Sequence, residues 1–128
     1  MNESKYRVLL VDDEPNLRKV LSALLIQQGF AVHVENDGEA ALTRVRSAPA
    51  DTFDVVISDL RMPNMNGMEA CRTLRGRGDT QAIPIIMVTT RGESDMIEEA
   101  FAAGCTDYVT KPIDGAELTS KISNLIGD

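Results

Sequence analysis

Histidine, cysteine and basic charge are all scarce in this chain of 128 residues. One histidine, His33, leaves nothing for a histidine-based metal site or a Ser-His-Asp triad, and it is read as a surface residue of a strand. The two cysteines, Cys71 and Cys105, lack the paired spacing of a metal site and are expected as reduced, partly buried fillers of a cytosolic protein. Thirteen Lys and Arg against twenty Asp and Glu give a net charge of −7. A basic face is what nucleic acid and anionic membranes require, so neither is expected as a direct partner. The longest apolar runs, Val8 to Val11 and Ile85 to Val88, are far too short to cross a bilayer. Met1 to Arg7 carries charge and no apolar core, so no secretory signal is expected.

What the chain does have is a fivefold alternation of short apolar runs and helical-period segments. Strands are expected at Tyr6 to Val11, Ala31 to Val34, Phe53 to Ile57, Ile85 to Thr89 and Asp107 to Val109. The first, third and fourth contain continuously apolar stretches, as central parallel strands covered on both faces do. Between them the spacing predicts five helices. The first starts near Pro15, carries Leu17, Val20, Leu21, Leu24 and Leu25, and stops at Gly29. The second runs from about Gly38 to Ala48 behind Asp37 as N-cap, and the third from Gly67 to Arg75. The fourth spans about Ser94 to Ala103, opened by a capping box of Thr90 and Glu93. The fifth starts at Asp114, with Glu117 three residues on, and buries Leu118, Ile122, Leu125 and Ile126. A (βα)₅ pattern with right-handed crossovers gives an open, doubly wound α/β sheet, which binds ligands at the carboxyl ends of its strands.

The polar residues at those ends are therefore the ones to read. Asp12, Asp13 and Glu14 follow the first strand, Ser58 and Asp59 the third, Thr89 and Thr90 close the fourth, and Thr110, Lys111 and Pro112 follow the fifth. Three carboxylates in one crevice repel one another unless a cation sits among them. All-oxygen ligands favour Mg²⁺ or Ca²⁺, and Mg²⁺ keeps waters and phosphate oxygens beside one or two carboxylates. A carboxylate is also a nucleophile for phosphoryl transfer, forming an aspartyl phosphate. Lysine and threonine then serve as charged and neutral donors to phosphoryl oxygens. Met62, Met65 and Met68 are read as loop packing, since thioether sulfur is too soft for Mg²⁺.

Val11-Asp12-Asp13-Glu14, Asp59-Leu60-Arg61-Met62-Pro63 with Gly67, Thr89, and Tyr108-Val109-Thr110-Lys111-Pro112 together resemble the receiver domain of bacterial response regulators, over nearly the whole chain. The resemblance implies a flavodoxin-like five-stranded sheet of order 2-1-3-4-5 and one receiver domain over residues 1–128. It implies Asp59 as phosphoacceptor and Asp13, Asp59 and the Arg61 backbone carbonyl as direct Mg²⁺ ligands. Asp12 would act through a metal-bound water, and Mn²⁺ is an expected substitute ion. Lys111 and Thr89 would contact the phosphoryl oxygens, Tyr108 would be the aromatic switch residue, and the Lys111–Pro112 bond is expected to be cis. The implied function is a cytoplasmic phosphorelay switch rather than a turnover enzyme. It would be loaded by a sensor histidine kinase or a histidine phosphotransfer protein, and it would act on a target through helix 4, strand 5 and helix 5. The alternative is a pseudo-receiver that binds proteins without phosphate.

Three positions depart from the family. Thr90 replaces the usual alanine or glycine, and Arg61 and Arg91 stand two residues beyond Asp59 and Thr89. Arginine cannot act as a general base for an attacking water, so a long-lived phosphoryl group is expected. Asp128 follows the fifth helix directly, so no attached output domain is expected within this chain, which is either a stand-alone receiver or one excised from a larger protein.

Overall fold

The computed structural model describes residues 6–47, 53–61, 66–78, 80–90 and 95–126. Five strands alternate with five helices: β1 (Arg7–Val11), α1 (Pro15–Gln27), β2 (Ala31–Glu35), α2 (Gly38–Ser47), β3 (Val55–Asp59), α3 (Gly67–Arg75), β4 (Ile85–Thr89), α4 (Ile97–Ala103), β5 (Asp107–Thr110) and α5 (Gly115–Ile126). The strands pair in parallel in the order β2-β1-β3-β4-β5, as expected.

The alternating pleat divides the core into two layers. Val8, Leu10, Val55, Ile57, Ile86, Val88 and Val109 face Leu21 and Leu25 of α1 and Leu118 and Ile122 of α5. Leu9, Val11, Val56, Ile85 and Met87 face α2, α3 and α4 through Leu42, Val45, Met68, Leu74 and Ala100. Both cysteines are buried in this second layer as free thiols, deeper than expected. Burial pushes both thiols up, that of Cys105 to about 12, which disfavours their thiolate forms. Met68 is also a core residue of α3, not loop packing, while Met62 and Met65 lie outside the described residues.

Local chemistry explains most boundaries. Pro15 opens α1, and Gly29, at φ 97°, follows its end. Asp37 Oδ1 accepts from the Ala40 amide at 2.8 Å and caps α2. Asp114 Oδ1 likewise accepts from Ala116 at 2.9 Å, so Asp114 is the cap of α5 and the helix proper starts one residue later. Asn66 and Glu69 form a reciprocal capping box on α3 that the sequence reading did not include. β3 ends two residues later than expected, because Ser58 and Asp59 continue the ladder opposite Met87 and Val88. α4 spans Ile97–Ala103 without a side-chain cap; Ser94, its expected start, and Glu93, the second half of the expected box, lie outside the described residues.

Two further side chains depart from their expected places. Val20 is 61% exposed, so it is no part of the buried stripe of α1. His33 is half-buried, its ring edge-on to Phe53 at 5.4 Å. Among the described residues no helix is long and apolar enough to cross a membrane.

Candidate functional site: an acid cluster at the carboxyl edge of the sheet

The β2-β1-β3 order places β1 and β3 side by side, with crossovers leaving in opposite directions, so a crevice opens at their carboxyl ends. Asp12 leaves β1 there, and Asp59 is the last residue of β3. One carboxylate oxygen from each of Asp12, Asp13 and Asp59 lies within 4.8 Å of the others. Their environments differ: Asp12 is 0% exposed and Asp59 5%, whereas Asp13 is open to solvent.

Asp12 is held by its backbone. Its amide donates to the Glu35 carbonyl at 3.2 Å, its carbonyl accepts from the Arg18 guanidinium at 2.7 Å, and its Oδ1 accepts from the Glu14 amide at 2.8 Å. Oδ2 has no hydrogen-bond partner, and among the described residues it is the one buried side-chain polar atom in that condition. Burial raises the Asp12 pKa against the pull of that Glu14 amide and of Lys111. Asp59 is pushed up to about 6, first by burial and then by the charge of Asp12; Lys111 and the Arg61 backbone amide oppose the shift. Two buried acids whose charged forms are disfavoured, one with an oxygen lacking a hydrogen-bond partner, beside a third carboxylate fit a hard divalent cation.

Lys111 reaches in from the end of β5. Its Nζ lies 3.2 Å from Asp59 Oδ2 and 4.0 Å from Glu14 Oε1; burial pulls its pKa down, but Asp59, Asp12 and Glu14 together hold it up. The Lys111–Pro112 peptide is cis. Thr89, at the end of β4, is fully buried, and its hydroxyl donates to the Val109 carbonyl at 3.4 Å. Tyr108 is half-buried on β5 beside Phe101 of α4 and Lys121 of α5. Arg61 and Thr90 are exposed, and an Arg61 Nη2–Met96 Sδ contact of 3.8 Å links the end of β3 to the start of α4. Arg91 lies outside the described residues.

The floor of the crevice rests on Gly67. A Cβ there would stand 2.5 Å from the Asp59 carbonyl oxygen and 2.7 Å from Met87 Sδ, so any side chain would displace the end of β3. Its amide also donates to the Leu60 carbonyl at 2.9 Å. Motif matching marked Gly67, but only the packing shows that it is needed for space rather than for its backbone angles.

The response regulator receiver domain model matches residues 8–123. The DNA-binding response regulator MtrA of Mycolicibacterium smegmatis is 36% identical over 95% of this chain and 51% of its own length. The chain spans about half the length of the curated relatives it matches. A putative response regulator from Chloroflexus aurantiacus superposes with a TM-score of 0.91 at 28% identity, covering 98% of this chain and all 100% of that one. The receiver domain of sensor histidine kinase PA1611 from Pseudomonas aeruginosa, solved with magnesium coordinated in its active-site cleft, gives 0.88 at 30% identity over 98% of this chain and 100% of its own. On sequence and on fold alike, this chain belongs to the response regulator receiver domain family.

Proposed function

We propose that residues 1–128 form one phosphoryl-accepting switch domain with Asp59 as the acceptor. The observation that carries this reading is the set of charges around Asp59: two further acid oxygens within 4.8 Å and the Lys111 ammonium at 3.2 Å, at the carboxyl edge of a parallel sheet. An Asp59 oxygen forms the new O–P bond as the P–N bond of a phosphohistidine donor breaks, and the electron pair stays on the imidazole nitrogen. The donor is a sensor histidine kinase or a histidine phosphotransfer protein.

Asp12, Asp13, Asp59 and the Arg61 carbonyl would hold Mg²⁺, with Mn²⁺ as substitute; the buried, unpartnered Asp12 Oδ2 supports this fit. The ion supplies charge neutralisation for the incoming phosphoryl oxygens. Lys111 binds one of those oxygens. Thr89 exchanges its long bond to Val109 for another, and Tyr108 follows it. The readout surface is then α4, β5 and α5. The domain assists its own loading and unloading but turns over no substrate.

Binding of DNA belongs to full-length relatives such as MtrA, of which this chain matches half. With its net charge of −7, this segment works in the cytoplasm through protein partners, without direct contact to nucleic acid or membrane. The test is intact mass after incubation with an acyl phosphate, with and without Mg²⁺, beside Asp59→Asn. The expected result is one added phosphoryl group that requires both. A gain that survives Asp59→Asn would overturn the assignment.

A further inference from the structure

We propose that Phe101 and Lys121 are positioning residues that hold the Tyr108 ring between α4 and α5 and thereby set the resting bias of the switch. The inference rests on the phosphoacceptor reading above and adds to it the residues that oppose activation.

Tyr108 sits on β5, an edge strand, where the sheet gives its ring a neighbour on one side only. Two side chains from different helices supply the rest. The Phe101 ring meets it edge-on, with centroids 6.1 Å apart and planes at 85°, the arrangement that ring quadrupoles favour. Lys121 Nζ lies 5.0 Å from the Tyr108 centroid. That ammonium is not a loose surface charge. It donates to the Tyr108 carbonyl, and it lies 3.3 Å from Asp107 Oδ1 and 3.6 Å from Glu117 Oε2. Asp107 Oδ1 in turn accepts from the Tyr108 amide at 2.8 Å. Three oxygens therefore fix the cation over the ring, and two of them belong to Tyr108 and its neighbour in the strand.

The inner side is held less tightly. Thr89, the residue Tyr108 would follow, makes only a 3.4 Å hydroxyl bond to Val109. A ring that moves toward Thr89 gives up both the Phe101 and the Lys121 contacts. The opposition to switching thus resides in the outer clamp.

Replacing Tyr6 by phenylalanine leaves Tyr108 as the sole tyrosine in a chain without tryptophan, so its emission reports the ring alone. In that background, Mg²⁺-dependent binding of beryllofluoride, a tetrahedral stand-in for the aspartyl phosphoryl group, measures the switch equilibrium. Because apparent affinity scales with the population of the binding-competent state, Lys121→Met and Phe101→Ala are each expected to tighten binding about threefold to tenfold. Lys121→Arg, which keeps a cation over the ring, should stay within about twofold of the parent. Both loosening variants should also lower the emission anisotropy of Tyr108 without any ligand. Lowered thermal stability with unchanged beryllofluoride affinity would mean a merely structural role and would overturn the inference. If the parent binds no beryllofluoride, the phosphoacceptor reading fails instead. The unliganded anisotropy then decides the clamp alone: a drop supports it and no change refutes it.

Discussion

The two halves of the carboxyl edge are built on opposite terms. At the ends of β1 and β3, Asp12 and Asp59 are buried as acids, their pKa values are raised, and Asp12 Oδ2 has no partner. At the ends of β4 and β5, Thr89 has Val109, and Tyr108 has Phe101 and Lys121. Among the described residues, the first half leaves a buried carboxylate oxygen without a hydrogen-bond partner, whereas the side chains of the second half have protein partners. On the function proposed above, a metal and a phosphoryl group would relieve one half and compete with the other. That asymmetry is what a switch needs: a favourable event at one place, opposed by intact contacts at a second. Raising the strain in the first half or loosening the second should move the equilibrium in predictable directions.

The largest effect is expected from removing the charge that joins the halves. Lys111 comes from β5 and lies against Asp59 of β3. Lys111→Met leaves the acids without that counter-charge and deprives the phosphoryl group of its cationic partner. Uptake from an acyl phosphate should slow by about 100-fold or more, equivalent to roughly 2.7 kcal/mol in the barrier. The rate comes from an intact-mass time course, and a loss of less than about threefold would separate Lys111 from the chemistry.

Next comes the strain of the acid half itself. The Asp59 pKa stands at about 6, above its ordinary value of 3.8, because burial and Asp12 disfavour the charge. A raised carboxyl pKa means that the folded state holds the proton more tightly than the unfolded one. The associated stability is full below about pH 4 and is lost as pH rises through 6. In metal-free protein, Asp59→Asn cannot ionise and escapes this loss. It should be more stable than the parent at pH 8 by about 2–3 kcal/mol, a gain that shrinks toward zero near pH 4. Urea unfolding across that range measures it, and saturating Mg²⁺ should abolish most of the difference. A gap that widens as pH falls would contradict the sign and with it the claim of a strained acid half.

Both halves lie at the carboxyl edge, and a change at the opposite, amino edge, where α4 ends just before β5, should leave them untouched. Arg75, from the end of α3, donates to the carbonyls of Gly104, Thr80 and Ile83 at 2.9, 3.3 and 2.6 Å. It also donates to Thr106 Oγ1 at 3.3 Å. Gly104 has φ 115°, and a Cβ there would stand 2.6 Å from the Arg75 Cγ. Gly104→Ala thus adds backbone strain and dislodges the guanidinium, at an expected cost of about 2 kcal/mol. For a chain of this size that is a fall of roughly 6–12 °C in Tm, read by thermal unfolding. Mg²⁺ affinity should not change, because Gly104 precedes β5 at the amino edge of the sheet, whereas Asp12 and Asp59 stand at the carboxyl edge.

The halves were also unequally legible in the sequence. Acids, hydroxyl and lysine stand directly after apolar runs, and once those runs are parallel strands, topology alone brings their ends together. Val55 to Ile57 reads as a central strand because burial on both faces leaves no polar alternation to confuse it. The clamp on Tyr108 was not legible, since Phe101 and Lys121 belong to separate helices and their meeting depends on where side chains point. Helical periodicity likewise marked Val20 as part of an apolar stripe, yet it cannot tell a position facing the sheet from one just beyond the contact. The end of β3 shifted for a related reason: Ser58 and Asp59 look like loop residues, but the ladder to β4 continues through their backbone.

The smallest expected effect tests where the acid half stops. Asp12, Asp13 and Glu14 are consecutive acids, and charge alone does not rank them. Structure does, because Glu14 Oε1 is 4.0 Å from the Lys111 ammonium and its side chain is 58% exposed. Solvent screens such a pair, so Glu14→Gln should alter stability by no more than about 0.5 kcal/mol. Mg²⁺ affinity, followed by titration calorimetry, should stay within about twofold, since the Glu14 amide that holds Asp12 Oδ1 survives the substitution. A tenfold loss would make the Glu14 carboxylate a participant in the metal site. The acid half would then extend into solvent, and burial would no longer be what distinguishes it from the half that carries Tyr108.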